Sequence, residues 1–553
     1  MREHSGWFGP VGADIFGWWT EPDDGPGETV ALLCSPIGEE EHNAHETFRR
    51  LAAELAEAGV ASLRFDYAGT GDSAGDWTDP NRVEAWEESL RIAAGLVRST
   101  GAPRVVHIGM RLGATLAARG AAYTAHRPEG LVLWDPCSGK DMLREGSLRT
   151  ADAAAPPQGM VDTPGYRYAA QTVEALSTVR AGTLPNGPLA ERVLVLARDD
   201  RPTRGEVLEK FQGPEVTWAI AHGQDTLLDV PMTDLVVPHR TVDEVVRWVI
   251  DERTGSPARN GAAQSIELRT SREWKTSSGR RAIERPVALG AARLFGLLAE
   301  TDGPQRGPTV TFVNVANDRH VGPGRRWVDL ARELVDAGFR VLRIDQSSTG
   351  DSPGTQPFGR LYPPEWLTDL PDALSAPEVG PEVAVIGLCS GGYSALEAAH
   401  RRRVHTVYAI NVILHAPQIS RGRSADPNRR VARPPSRLIE RLGHRNANVG
   451  HALWRIYRQP AFWHAPMAAI AELRRRGTRI VLVMSTADGR HFRESLFWSV
   501  VRRLRWDPQE FAHIEDEVID HPLMSQAGQD VACAAILDDL YRAHPNTNGQ
   551  SQR

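Results

Sequence analysis

Gly387, Leu388, Cys389, Ser390 and Gly391 place a nucleophile between two glycines in the order G-x-Nu-x-G. They join an apolar run, VAVIGL, to a segment of helical character, SGGYSALEAA. Glycine on both sides lets a strand turn sharply into a helix passing close beneath, with the middle residue held in a strained backbone conformation. The spacing predicts a buried strand ending at Leu388, Cys389 at the tip of the turn and a helix starting at Ser390. A thiol there is a stronger nucleophile than a hydroxyl, and the N-terminus of the following helix favours its thiolate. Making Ser390 the nucleophile would put Leu388 where a small residue is needed. The plain alternative is an ordinary buried cysteine at a strand-helix junction.

This frame resembles the nucleophile elbow of the α/β-hydrolase superfamily. The resemblance implies an orienting acid and a base further along, in the chain order nucleophile, Asp, His. Asp488 ends the strand-like RIVLVMSTAD, and His521 stands in VIDHPLMSQ, ahead of an amphipathic closing helix around Val531 to Tyr541. Cys389, Asp488 and His521 are therefore the candidate triad, with Asp520 and His491 as competitors. The loop NVANDRHVGPG resembles the oxyanion loop of the superfamily, which implies that Ala316 or Asn317 pairs with the backbone N–H of Ser390. Such chemistry requires no cofactor and no metal.

The elements that must carry these residues occur twice. VALLCSPIG…FRRLAAELAEAGVASLRFDYAGTGDSAG from Val30 parallels VTFVNVAND…WVDLARELVDAGFRVLRIDQSSTGDSPG from Val310. The match extends upstream (ADIFGWW, ARLFGLL) and downstream (VVHIGMRLGA, VAVIGLCSGG), so the halves read as duplicates. Strand, helix, strand is parallel α/β grammar. The fold class expected is two tandem α/β-hydrolase-fold domains, each a mostly parallel sheet flanked by helices with a cap insertion. Residues 1–252 form the first domain, 253–264 a Gly-, Pro-, Ser- and Ala-rich linker, 265–543 the second domain, and 544–553 a frayed polar tail.

The first half keeps the glycine frame but has Arg111 in place of the nucleophile, and arginine cannot accept an acyl group. Aligning the closing helices sets Met232 opposite His521 and puts His239 seven residues late; only Asp199 or Asp200 answers Asp488. On GMRLGA, SPIGEE and LVLWDPCSGKDML this half resembles hydrolase-fold proteins associated with bacterial exosortase systems. Arg111 either grips a carboxylate or phosphate of the substrate or is buried against an acid such as Asp66 or Asp72. HNAHE, with His42, His45 and Glu46, is not a zinc motif in order or spacing. The GTGDSAG and STGDSPG turns lack the P-loop lysine; Asp66, Asp72, Asp345 and Asp351 are expected to bond local amides.

Over its 553 residues the chain has 64 Lys+Arg against 70 Asp+Glu, a net charge of −6, which excludes a strongly basic nucleic-acid binder. Four scattered cysteines, Cys34, Cys137, Cys389 and Cys533, exclude a disulfide scaffold. No apolar run reaches membrane-span length, and the N-terminus reads as no signal peptide; a cytoplasmic protein is expected. One stretch departs from the acidic background. Within the expected cap, 416–479, residues 421–476 hold thirteen arginines against Asp426, Glu440 and Glu472. Arg429, Arg430 and Arg433 would meet an acidic carrier protein or peptide or a phosphorylated cofactor arm, or the run is a face docked on the acidic remainder of the chain. Trp454, Tyr457, Phe462 and Trp463 would line an acyl pocket or anchor the cap. The expected chemistry is acyl transfer or hydrolysis of an ester, thioester or amide, in bacterial specialised metabolism. A non-catalytic scaffold, and a cyclase or lyase using the same pocket, are the other classes.

Overall fold

The computed structural model describes residues 1–123, 127–150, 156–251, 263–354, 363–414, 466–494 and 507–545. The chain forms two compact units, one of residues 1–275 with 283–286 and one of 276–282 with 287–553. The division falls later than the expected linker, most of which lies outside the described residues. Ile266 and Leu268 are buried in the first unit's core, and Trp7 and Arg269 exchange backbone hydrogen bonds of 2.9 and 2.8 Å. A short polar-apolar stretch of this kind carries no periodicity by which to assign it to either half.

The first unit is built on β1 (Arg2–Phe8), β2 (Ile15–Glu21), β3 (Thr29–Cys34), β4 (Ala61–Phe65), β5 (Arg104–Met110), β6 (Gly130–Trp134), β9 (Arg192–Arg198) and β10 (Val216–Ala221). A separate hairpin pairs β7 (Val161–Thr163) with β8 (Tyr166–Tyr168). The eight-stranded sheet runs β1-β2-β4-β3-β5-β6-β9-β10. It is parallel from β4 to β10, and β2 joins β4 antiparallel. Strands such as TVALLC are buried throughout and almost wholly apolar, as strands covered by helices on both faces are.

The second unit repeats this order. Its strands are β11 (Arg272–Lys275), β12 (Arg281–Leu289), β13 (Leu294–Thr301), β14 (Thr309–Val313), β15 (Val341–Ile344), β16 (Val383–Leu388), β17 (Thr406–Ile410), β18 (Arg479–Ser485) and β19 (Phe511–Asp516). The sheet runs β11-β12-β13-β15-β14-β16-β17-β18-β19, antiparallel between β13 and β15 and parallel from β15 onward. Both units are therefore α/β domains with mostly parallel sheets flanked by helices. The expected cap over the second sheet falls largely on residues 415–465, outside the described residues.

The aspartate turns match bond for bond. Asp66 Oδ2 accepts the Asp72 amide at 2.8 Å, and Asp345 Oδ2 accepts the Asp351 amide at 2.8 Å. Ser73 and Ser352 each donate to the carbonyl of that aspartate at 2.7 Å and accept an amide from β2 or β13. Asp66 and Asp345 thus bond local amides, as the sequence led us to expect, and Asp72 and Asp351 supply those amides. No helix among the described residues is long and apolar enough to cross a membrane.

At the second unit's elbow, β16 gives way to the helix Ser390–Arg401, nearly all of whose residues are buried. A Cβ on Gly391 would stand 2.5 Å from the Asn314 carbonyl oxygen, and one on Gly387 would stand 2.4 Å from the Gly391 carbonyl carbon. Both obstructions are backbone, which cannot rotate aside. Gly391→Ala is therefore expected to destabilise the protein by about 2–3 kcal/mol, as overpacking does. A lowered thermal midpoint together with slowed reaction of Cys389 with a thiol reagent would be the signature.

Candidate active site

Cys389 has φ 49° and ψ −111°, outside the regions open to ordinary L-residues. The conformation is enforced from both sides, since its amide donates to Ile410 O at 2.8 Å and its carbonyl accepts the Tyr393 amide at 3.1 Å. Residues held this way cost about 1–3 kcal/mol each and persist only where the surroundings determine them. The result is a thiol at the C-terminal edge of the sheet, partly exposed, whereas Cys34, Cys137 and Cys533 are buried.

Asp488 sits in the first turn of the helix Thr486–Glu494, directly after β18. Ser485 fixes it, donating from its hydroxyl to Asp488 Oδ2 at 2.6 Å and accepting the Asp488 amide at 3.0 Å. The carboxylate faces His521 Nδ1 at 2.9 and 3.0 Å. With Nδ1 so engaged, Nε2 is the ring nitrogen left free of Asp488, and Cys389 acts on the same imidazole. The imidazole is pushed up to about 10, first by the bond to Asp488 and then by the bond to Cys389, against the opposing effect of burial. The three residues expected as a triad from the sequence thus meet in one place. Asp520 lies outside this line, and its carboxylate accepts the amides of Met524 and Ser525 at 2.7 and 3.0 Å, closing the turn before the helix Gln526–Ala543.

Two residues that the sequence reading missed position the site. Asn411, fully buried just after β17, accepts the Ser485 amide at 2.7 Å and donates to the carbonyls of Asp520 and His521 at 2.9 and 3.0 Å. One side chain thereby holds the loop of the acid and the loop of the base. Its only trace in the sequence is a polar residue directly after an apolar strand. Ser485 is the second, and its hydroxyl reads in sequence as any strand-end serine.

The loop expected to hold the oxyanion packs against the start of the helix. Ala316, with φ 47°, directs its amide to Ser390 Oγ at 2.8 Å, so the loop is tied to the side chain of the residue whose amide it was expected to accompany. Asn317 follows in the same turn. Behind it, His320, Asp345 and Asp351 bring ligand-type atoms within 4.8 Å of one another. The Asp345 carboxylate already accepts from the His320 amide at 2.6 Å and the Asp351 amide at 2.8 Å, with His320 Nδ1 at 2.8 Å. Asp345 is thereby engaged in holding the loop.

In the first unit the equivalent turn carries an arginine. Arg111 has φ 54°, its amide donates to Trp134 O at 2.9 Å, and its side chain is 1% exposed. The guanidinium bonds Glu40 at 2.9 Å, Asp135 at 3.0 Å and Glu145 at 2.5 Å. Burial works against the charge, but the groups around it outweigh burial and hold it protonated. The acids that meet Arg111 are therefore not Asp66 or Asp72, which are engaged in or beside their own turn. Asp200 pairs with Arg198, and Asp199 with His222, a histidine the sequence reading passed over. Of the arginine-rich run, Arg429, Arg430 and Arg433 lie outside the described residues. Arg474 pairs with Glu510, and Arg475 and Arg476 pair with Glu472.

Residues 320–539, which include Cys389, Asp488 and His521, match the model of the Alpha/beta hydrolase family. The matched stretch lies wholly within the second unit. No curated protein matches the chain at a significant level. Among solved structures the chain is similar to Est1E of Butyrivibrio proteoclasticus with ferulic acid bound, at 15% identity over 44% of this chain and 95% of that one, TM-score 0.32. It is also similar to dienelactone hydrolase from Anabaena variabilis, at 14% identity over 50% of this chain and 99% of that one, TM-score 0.30. A third is a soluble variant of monoglyceride lipase from Saccharomyces cerevisiae with a substrate analogue, at 12% identity over 46% and 97%, TM-score 0.35. Residue roles in this chain rest on its own geometry.

The raised pKa of His521 gives a stability signature. Its ordinary value is 6.5 and its folded value about 10, so the folded state binds the proton more tightly. The stabilisation is complete below pH 6.5, declines between pH 6.5 and 10, and is gone above 10. His521→Gln should therefore lower the thermal midpoint relative to the natural chain at pH 6, and this gap should shrink steadily toward pH 10. A gap independent of pH would remove the charged imidazole from the site.

Proposed function

We propose that the second domain is an acyl hydrolase or acyltransferase acting on an ester, thioester or amide through Cys389, His521 and Asp488. The observation that carries the reading is the hydrogen-bonded line from Asp488 through His521 to a thiol on a strained, partly exposed turn. In this reading Cys389 Sγ, its proton resting on His521, attacks the carbonyl carbon and forms the sulfur-carbon bond. As the tetrahedral intermediate collapses, the bond to the leaving group breaks, and His521 Nε2 delivers the proton to it. Water or another acceptor then gives a proton to His521 and attacks the thioester, releasing the acyl group and restoring the thiolate. Asp488 keeps the imidazole in orientation throughout.

The two domains are read as products of a tandem duplication, supported by the parallel strand orders and the matching aspartate turns. In that reading the first domain is a pseudoenzyme resembling the exosortase-associated proteins, since Arg111 offers no nucleophile and is fully engaged by carboxylates. The place of the enzyme would be in bacterial specialised metabolism.

The direct test is intact-protein mass spectrometry after exposure to an activated ester. Given exposure long enough for a slow reaction to finish, the natural chain and Ser390→Ala should each carry one acyl group, mapped to Cys389, whereas Cys389→Ala should carry none. An adduct that persists in Cys389→Ala and disappears in Ser390→Ala would place the nucleophile one residue later. A scaffold protein would show no adduct in any of the three.

The arginine-rich run supports an acidic carrier as the bearer of the acyl group. Exposed charges are screened beyond about 8 Å at physiological salt, so a cluster of this size acts mainly on encounter. Activity on a carrier-bound substrate should fall steeply with salt while activity on a small neutral ester hardly changes. Arg429→Glu, Arg430→Glu and Arg433→Glu together should raise the KM for the carrier-bound form alone. Equal salt dependence for both substrates would assign the charge to contacts within the chain.

A further inference from the structure

Ser390 follows the nucleophile and begins its helix, and its side chain is buried beside the loop that carries Ala316. The Ala316 amide donates to Ser390 Oγ at 2.8 Å, so the hydroxyl acts there as an acceptor. Among the described residues that is the hydroxyl's one bond, and its own proton is given to no other group. A hydroxyl that accepts from an amide is polarised toward donating. The neighbouring amide of Ser390 lies in the first turn of the helix, where backbone N–H groups have no partner within the helix.

Building on the reading of Cys389 as nucleophile, we infer that the oxyanion is held by the Ser390 backbone N–H together with the Ser390 hydroxyl. The Ala316 amide acts through the hydroxyl and does not touch the substrate. When Sγ attacks, the negative charge gathers on the former carbonyl oxygen above the helix N-terminus. The Oγ–H turns onto that oxygen while Oγ keeps the Ala316 bond, so no bond is broken to receive the charge. Ala316 is a positioning residue in this arrangement, its left-handed backbone serving to aim the amide at Oγ. Ser390 therefore contributes two donors, one of which an alanine would retain.

The test compares two reactions of the same sulfur in the full-length protein. Acylation by p-nitrophenyl acetate develops an oxyanion, whereas alkylation by iodoacetamide displaces iodide and develops none. Ser390→Ala is expected to slow acylation about 10²–10³-fold, the loss typical of one oxyanion donor, through kcat with KM nearly unchanged. Alkylation should stay within about twofold of the natural chain, and Ser390→Thr, which restores a hydroxyl, should recover most of the acylation rate. Acylation by Ser390→Ala as fast as the natural chain would overturn the inference and leave the Ala316 amide as the donor. Equal slowing of both reactions would also overturn it, by showing that Ser390 only shapes the turn. If the natural chain is not acylated on Cys389 at all, the reading of the nucleophile fails first; acylation there with no effect of Ser390→Ala sinks the hydroxyl alone.

Discussion

At the C-terminal edge of each sheet a residue other than glycine is locked with φ near +50°, Arg111 in one unit and Cys389 in the other. The lock is made by the sheet. In each case the amide donates to the carbonyl that ends the next strand, Trp134 O or Ile410 O. Those strands are in register with β5 and β16, so the turn cannot relax without unpairing the central ladder. Everything else at the site is placed relative to a side chain that the backbone presents before any substrate arrives.

One strand further along, the same device recurs. Asp135 and Asn411 both have φ 46°, and each donates its amide to the strand beyond, at Leu196 O and Val483 O. The two side chains then do opposite things. Asn411, neutral and able to donate and accept, ties the loops of Asp488 and His521 together. Asp135, charged and only able to accept, turns toward Arg111. The difference between amide and carboxylate at that position separates a site organised around a base from one organised around a fixed cation.

Much of this was legible in the amino-acid sequence, and the reasons are local. Gly387 and Gly391 announce the turn because no Cβ fits between backbones so close. Asp488 and His521 follow apolar segments that can only be strands or strand ends, so the chain order of the superfamily picks them out. What escaped depends on contacts between distant segments. Asn411 reaches residues more than seventy positions away on each of its bonds. Glu40 and Glu145 lie 71 and 34 residues from Arg111, whereas Asp66 and Asp72 draw notice because their loop stands out in the repeat. The turn of Ala316 toward the Ser390 hydroxyl is invisible in sequence because either a side-chain or a backbone partner would be compatible with the same loop.

The carboxylates around Arg111 also bear on what position 111 can accept. A buried guanidinium bound to three acids is tolerated because each charge answers another, and removing the cation leaves the acids uncompensated, a loss typically of about 3–5 kcal/mol. A serine or cysteine substituted at position 111 would therefore arrive in a nest of negative charge, in a domain that has lost stability. The ion cluster thus makes position 111 resistant to any single substitution, since the cation and its acids can be exchanged only together.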